Sequence, residues 1–199
     1  MSWLTLIETG GVVLGLCSVY YAAKENELTW PTGIANVILF GVLFWANKLY
    51  VNVGLQIFFA LYSVYSWWMW RYGGVGRQAM QLALTPDRAW WPVFAFVLAA
   101  TLMLGLFFDF STDNPLPYWD AATVALSVAA QFMLTQKWLE NWWLWIVANV
   151  IYIHLGLSSQ SYQFVALQGV YIALSVMGYR NWRRDLRLVA QALPSNLPE

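Results

Sequence analysis

Charged residues are scarce in this sequence. Asp, Glu, Lys and Arg make up only 10% of its 199 residues, whereas a soluble domain usually carries about 25%. With so few polar groups the chain could not cover a globular surface exposed to water, so its composition indicates a membrane protein. Ten basic residues are balanced by ten acidic ones. The chain therefore lacks the basic excess that nucleic-acid binding requires, and no nucleic-acid partner is predicted.

Cysteine and histidine are almost absent. The one cysteine, Cys17, can form neither a disulfide framework nor a CxxC metal or redox site, and we interpret it as a small buried hydrophobe. The one histidine, His154, has no second histidine or cysteine to complete a metal site, so we interpret it as a hydrogen-bonding residue near the membrane interface. We predict no metal, no cofactor and no catalytic residue.

Apolar and aromatic residues are abundant instead. The chain is 60% hydrophobic and contains 14 Trp and 11 Tyr, which fits aromatic belts at two lipid–water interfaces. A helix needs about 20 apolar residues to cross the hydrocarbon core. On that basis we predict an all-α integral membrane protein with seven transmembrane helices. The predicted spans are about 5–23, 30–47, 53–70, 90–108, 119–136, 139–157 and 162–180.

The basic residues fix the predicted orientation. Seven spans place nine of them on one side of the membrane: Lys24, Arg71, Arg77, Arg88, Lys137, Arg180, Arg183, Arg184 and Arg187. Only Lys48 falls on the other side. Because cytoplasmic loops carry the excess of Lys and Arg, we expect the N-terminus outside and the C-terminus in the cytosol.

The sequence also repeats itself. Lys24, Glu27, Trp30 and Asn36 recur 113 positions later as Lys137, Glu140, Trp143 and Asn149. Leu55, Gln56, Ser63 and Trp70 recur 112 positions later as Leu167, Gln168, Ser175 and Trp182. A one-residue gap in the loop after span 2 or span 6 would reconcile the two offsets.

This repeat predicts a 3+1+3 organisation. A first three-helix repeat covers 1–75, a linker with span 4 covers 76–115, a second three-helix repeat covers 116–187, and a cytosolic tail covers 188–199. Both repeats begin outside and end inside, so they form a parallel pseudo-repeat about an axis along the membrane normal, as in some transporters.

Four amides lie inside the predicted spans: Asn36, Gln56, Asn149 and Gln168. An amide that faces lipid without a partner costs several kcal/mol, so we expect all four to point into the helix bundle. They could join helices, at about 0.6 kcal/mol each, or bind a polar solute. No span has a carboxylate near its midpoint, which disfavours coupling to protons or sodium and favours facilitated diffusion.

Aromatic and hydroxyl side chains share helix faces with these amides. Trp145, Asn149 and Tyr152 form one stripe of span 6, and similar stripes run along spans 3 and 7. Such stripes suit a flat ring carrying hydroxyl groups, because rings stack on indoles and amides bind polar edges. A Trp near a span end, such as Trp70 or Trp182, is also commonly an interface anchor. The predicted substrate contacts are Asn36, Gln56, Trp67, Trp70, Trp145, Asn149, Tyr152, Gln168, Tyr171 and Trp182.

In their order along the chain these motifs resemble the PnuC family of vitamin transporters. The resemblance runs from about Thr9 to Arg187. It is carried by Trp67-x-x-Trp70, by Trp145-x-x-x-Asn149-x-x-Tyr152, by the Leu-Gln pairs of spans 3 and 7, and by Gly178-Tyr179-Arg180-Asn181-Trp182.

The resemblance implies a fold similar to the SWEET sugar transporters, a homotrimer, and facilitated uptake of nicotinamide riboside across the bacterial inner membrane. A separate cytosolic riboside kinase would then trap the solute by phosphorylation. The family also contains transporters of thiamine and riboflavin. The Trp145-Asn149-Tyr152 stripe looks like the nicotinamide riboside branch, but thiamine is also cationic and aromatic and stays the alternative. A membrane enzyme or a purely structural bundle is a third hypothesis, which the lack of clustered His, Asp or Cys in the spans disfavours.

Overall fold

The described part of the chain, residues 3–48 and 50–192 of a computed structural model, is built from helices. The seven long helices are α1 (Trp3–Ala23), α2 (Thr29–Ala46), α3 (Tyr50–Tyr72), α4 (Asp87–Ser111), α5 (Pro117–Thr135), α6 (Asn141–Ser158) and α7 (Tyr162–Ala192). Each predicted span coincides with one helix to within three residues, except at the C-terminal end of α7. The all-α prediction with seven long helices is confirmed.

Helix α7 continues twelve residues beyond the predicted end of its span, to Ala192. This extension is rich in Arg, Leu, Ala and Gln, which are strong helix formers, so the helix persists after its apolar stretch has ended. The predicted cytosolic tail therefore begins as helix. Its remainder, 193–199, lies outside the described residues.

Apolar side chains cover the outside of the helices. Phe94, Met103 and Phe107 on α4 are exposed, as are many large side chains on the other helices. Most buried positions of α5 hold small residues instead, including Ala121, Ala125 and Ala129. Small residues at helix contacts and large apolar ones outside are typical of helices packed in lipid.

Three helices of the described chain, α1, α2 and α4, are long and apolar enough to cross a membrane by length and composition. The other four long helices of the described residues are not among these candidates, and three of them, α3, α6 and α7, carry the amides Gln56, Asn149 and Gln168.

The chain divides into two compact units, Met1–Gln81 and Leu82–Glu199. In the first unit α2 packs against both α1 and α3. In the second unit α5 packs against α4 and α6, and α6 packs against α7. Within each unit, helices that follow one another in sequence thus pack together, as expected for antiparallel helices joined by short connections.

The connection from α1 to α2 has the same backbone geometry as the connection from α5 to α6. In the first, the N–H of Glu25 donates to Ala22 and Glu25 has a φ of 54°. In the second, the N–H of Lys137 donates to Leu134 and Lys137 has a φ of 51°. Each of these left-handed residues reverses the chain after a helix end, at positions that lie 112 residues apart.

The connections that follow α2 and α6 also match. Lys48 and Gln160 have φ values of 59° and 55°, and they too lie 112 residues apart. The α6–α7 connection is only three residues long, Ser159 to Ser161, and Ser161 donates its N–H to the carbonyl of Gly156 over 2.8 Å.

The left-handed residues before α2 and α6 lie 112 positions apart, and so do those after the two helices. The backbone therefore shows no one-residue gap of the kind inferred from the sequence. Trp30 corresponds to Trp142, not to Trp143. The duplication itself stays a prediction, and the matching connections support it.

Candidate functional site

Two buried amides, Asn149 on α6 and Gln168 on α7, are the main candidates for solute contacts. Each residue is 5% exposed, and neither side chain forms a hydrogen bond with the described residues. A buried polar group without a partner costs about 1–3 kcal/mol. Neither amide is among the polar atoms that are completely sealed from solvent, so each keeps a small accessible surface.

The two amides lie at the same level of the α6–α7 pair. On one side of this level Tyr152 contacts Phe164, with ring centroids 5.8 Å apart. On the other side Trp143 contacts Tyr179, with centroids 5.1 Å apart. In an antiparallel pair these contacts place Asn149 opposite the helical turn that runs from Gln168 to Tyr171.

Half-buried aromatic side chains accompany the amides. Trp145 and Tyr152 lie one turn to either side of Asn149 on α6, and Tyr171 lies one turn after Gln168 on α7. Five of the ten predicted contacts therefore occupy the middle of one helical hairpin. Together they offer two amides, two phenols and an indole, a set that can bind a polar aromatic solute by stacking and by hydrogen bonding.

Asn36 has a different environment from Asn149, the residue with which the sequence aligns it. Its Nδ2 atom donates to the carbonyl oxygen of Gly11 on α1 over 2.6 Å. A Cβ atom at Gly11 would lie 2.9 Å from the ring of Phe40, so the absence of a side chain there permits the close approach of α1 and α2. The bond therefore joins two helices of the first unit.

Gln56 is half-buried on α3 and lies where α3 approaches α2 closely. Its Cβ atom would be 3.6 Å from a Cβ atom built at Gly41. Its amide forms no hydrogen bond with the described residues, so it remains available to a solute.

Trp67 takes part in an ion-pair cluster at the end of α3. The Nε atom of Arg71 donates to Oε2 of Glu27 over 2.6 Å, and the indole N–H of Trp67 donates to the same oxygen over 3.3 Å. The guanidinium of Arg71 also lies 5.6 Å from the Trp67 ring. Arg71 follows the predicted span, and its hydrogen bond to Glu27 and the charge of that carboxylate raise the pKa of Arg71 above its ordinary value.

Glu140, the sequence counterpart of Glu27, binds other groups. Its Oε2 atom accepts hydrogen bonds from the backbone N–H and the hydroxyl of Thr85, each over 2.7 Å. Next to this contact, Ala83 pairs with the α5–α6 connection through a hydrogen bond from Leu139. Glu140 thus holds the segment that precedes α4.

Trp70 and Trp182 are 1% and 0% exposed. Trp70 packs edge-on against Trp30, with centroids 5.1 Å apart and planes at 89°. Trp182 packs in the same way against Trp142, at 5.4 Å and 83°. Each unit therefore contains a perpendicular tryptophan pair. The first joins α2 to α3, and the second joins α6 to α7. Substrate contact by these two residues stays a prediction that their packing does not support.

Trp30 and Trp142 were not among the predicted site residues, although both are buried. Their indole N–H groups have no partner among the described residues. Their separation of 112 positions could have identified them in the sequence as a matching pair of tryptophans. The sequence comparison missed it by pairing Trp30 with Trp143.

The structure also places His154 and Cys17, the two other residues considered in the sequence. The ring of His154 lies 5.5 Å from Trp119, and the described residues contain no group of three or more His, Cys, Asp or Glu that could hold a metal ion. Cys17 is half-buried on α1, so the prediction that it is buried was wrong.

Known proteins similar to this chain are transporters. Residues 5–184 match the model of the nicotinamide mononucleotide transporter family. The chain is 30% identical to the nicotinamide riboside transporter PnuC of Escherichia coli (strain K12), over 94% of this chain and 87% of that protein. It is 24% identical to the riboflavin/roseoflavin transporter RibM of Streptomyces davaonensis, over 93% and 90%. A crystal structure of the vitamin B3 transporter PnuC superimposes with a TM-score of 0.70 at 23% identity, covering 92% of this chain and 83% of that one.

Proposed function

The chain belongs to the nicotinamide mononucleotide transporter family, and from this premise we propose that it carries nicotinamide riboside across a membrane by facilitated diffusion. Because its family is one of transporters, it is not an enzyme. The proposed substrate is the one named for the Escherichia coli relative.

The unpaired amides of Asn149 and Gln168 carry the proposal. Nicotinamide riboside has a carboxamide and ribose hydroxyls, which can both donate and accept hydrogen bonds, and an amide side chain offers both functions. Binding would satisfy two buried groups that form no hydrogen bond with the described residues. The solute could thus replace its lost water contacts at low cost.

The aromatic residues beside the amides suit the ring of the proposed solute. Its pyridinium is flat and cationic, and a cation over an aromatic face gains about 0.5–2 kcal/mol. Trp145 and Tyr171 are the nearest such residues along the chain to Asn149 and Gln168. Gln56 and Trp67, in the first unit, are proposed as further contacts.

Thiamine is the alternative substrate, since it too is cationic and aromatic. It lacks ribose hydroxyls and a carboxamide, so it would leave more of the amide groups without partners. The riboflavin/roseoflavin transporter among the relatives makes riboflavin a third solute to test.

Calorimetric titration of the purified protein with each of the three vitamins separates these possibilities. We expect micromolar binding of nicotinamide riboside and none of thiamine or riboflavin. Binding of thiamine without binding of nicotinamide riboside would reject the proposed substrate. Counterflow in liposomes, with internal nicotinamide riboside and a labelled external pool, tests passive exchange without an ion gradient.

The wider proposal keeps the predicted 3+1+3 parallel repeat with a SWEET-like arrangement, in the bacterial inner membrane, with the N-terminus outside and the C-terminus in the cytosol. The equal offsets of the four left-handed connecting residues support the duplication, and the distribution of basic residues supports the orientation. A homotrimer and a separate cytosolic riboside kinase complete the proposal. Both rest on the family resemblance.

A further inference from the structure

A basic groove lies between α6 and α7, and neither Asn149 nor Gln168 lines it. It has a volume of about 550 Å³. Four arginines, Arg180, Arg183, Arg184 and Arg187, line one part of it, and Trp143, Ile146, Val176 and Tyr179 line the rest. The arginines lie on one face of α7 because they are three, four and seven positions apart. Arg180 ends the predicted span and the other three follow it, which places all four near the predicted membrane surface.

Most of the positive charge in this groove is not neutralised. Arg184 pairs with Asp185 over 3.1 Å. Arg180, Arg183 and Arg187 form no ion pair within the described part of the chain. The groove thus keeps a net excess of three positive charges.

The two units differ at the corresponding arginine. In the first unit Arg71 is paired with Glu27. Arg183 lies 112 positions later, but Glu140 is already hydrogen-bonded to Thr85 and does not neutralise it. The guanidinium of Arg183 lies instead 5.8 Å from the ring of Tyr179. The charge on Arg183 is therefore left for a partner outside the chain.

The remainder of the groove is apolar or aromatic. Ile146 and Val176 provide aliphatic contacts, and the exposed ring of Trp143 packs against Tyr179. Trp143 lies in the first turn of α6, where the helix dipole also favours an anion. A ligand that fits needs a phosphate-sized anion at one end and a hydrocarbon portion at the other.

We propose that this groove binds an anionic phospholipid, with the headgroup phosphate on Arg180, Arg183 and Arg187 and an acyl chain along Ile146 and Val176. Basic pockets between membrane helices bind anionic headgroups in this way. The combination of charge and hydrocarbon surface distinguishes this ligand from a soluble phosphate. The proposal goes beyond the transport function and does not depend on which vitamin is carried.

Native mass spectrometry of delipidated protein, titrated with phosphatidylglycerol, phosphatidylcholine or inorganic phosphate, tests the proposal. We expect phosphatidylglycerol to bind at least about tenfold more tightly than phosphatidylcholine. In the double variant Arg183→Gln/Arg187→Gln that preference should fall by about tenfold or more. The double variant Arg77→Gln/Arg88→Gln is the control, because it removes the same charge from exposed arginines on the same predicted side of the membrane, and it should keep the preference.

Three outcomes would overturn the proposal. These are equal binding of the two lipids, an equal loss in both double variants, and binding of inorganic phosphate as tight as that of phosphatidylglycerol. If Arg183→Gln/Arg187→Gln does not fold, the single variant Arg187→Glu replaces it, since this exposed residue lies seven positions beyond the predicted span. An unchanged lipid preference in Arg187→Glu would equally reject the site.

Discussion

Asn36 and Asn149 show how one residue type can have two roles in a single chain. The sequence aligns them with each other, although the backbone offset places Asn36 at the position of Ala148. Asn36 donates to the carbonyl of Gly11, whereas Asn149 is buried and forms no hydrogen bond with the described residues. The first arrangement stabilises a helix contact. The second has an unsatisfied group that a solute can bind.

Replacement of each asparagine by alanine should separate these roles. Asn149→Ala removes a solute contact and an unpaired buried amide, so affinity for nicotinamide riboside should fall about tenfold while the melting temperature stays equal or rises. Asn36→Ala removes a helix–helix bond worth about 1 kcal/mol, so the melting temperature should fall and affinity should change little. Calorimetry and the intrinsic tryptophan fluorescence melt measure the two effects.

Unchanged affinity in Asn149→Ala would show that the proposed site is wrong. A loss of affinity in Asn36→Ala without a loss of stability would support Asn36 as a substrate contact, as the sequence predicts.

The sequence identified the amides and the helix faces they occupy, because periodicity and the cost of an amide in lipid depend on residue types alone. It could not distinguish Asn36 from Asn149. That difference depends on Gly11, twenty-five positions away, where the missing side chain exposes a carbonyl to α2. Nor could it show that Trp70 packs against Trp30 and Trp182 against Trp142.

At the level of the elements, the contact of α6 with α7 depends on a glycine. A Cβ atom at Gly178 would lie 2.5 Å from the ring of Trp142, a buried side chain that also packs against Trp182. The ring is rigid and has little room to move aside.

We therefore expect Gly178→Ala to destabilise the second unit by about 1–3 kcal/mol through overpacking. Gly169→Ala, in the same helix, is the control, since nothing lies within 4 Å of its new Cβ atom and alanine favours a helix by about 1 kcal/mol over glycine. It should be neutral or stabilising. Similar melting temperatures for the two variants would contradict the importance of this packing.

Helix positions were predicted closely because apolar runs and charged breaks mark both ends of a span. The continuation of α7 to Ala192 was missed because a search for apolar segments ends where the arginines begin, although these residues form helix well. Near Trp30 the offset of the backbone features is one residue smaller than the offset of the matching residues in the sequence. Sequence identity favours Lys24 with Lys137, whereas the backbone turn pairs Glu25 with Lys137.

For the whole molecule, the predicted orientation can be tested with single cysteines. In a Cys17→Ser background, Gln160→Cys places a thiol in the α6–α7 connection, and Gln191→Cys places one near the end of α7. Because α7 is predicted to cross the membrane, an impermeant maleimide should label Gln160→Cys in intact cells and label Gln191→Cys only after permeabilisation. Labelling of both in intact cells would contradict the predicted topology.

The short α6–α7 connection limits how the proposed site can change during transport. Three residues closed by the bond from Ser161 to Gly156 leave little slack, and α6 also packs against α7, so we expect the helices that carry Asn149 and Gln168 to move together. The spacing of the two amides would then be the same whichever side of the membrane the solute enters from. Release of the solute would then require the loss of its other contacts or the entry of water. It would not require Asn149 and Gln168 to separate.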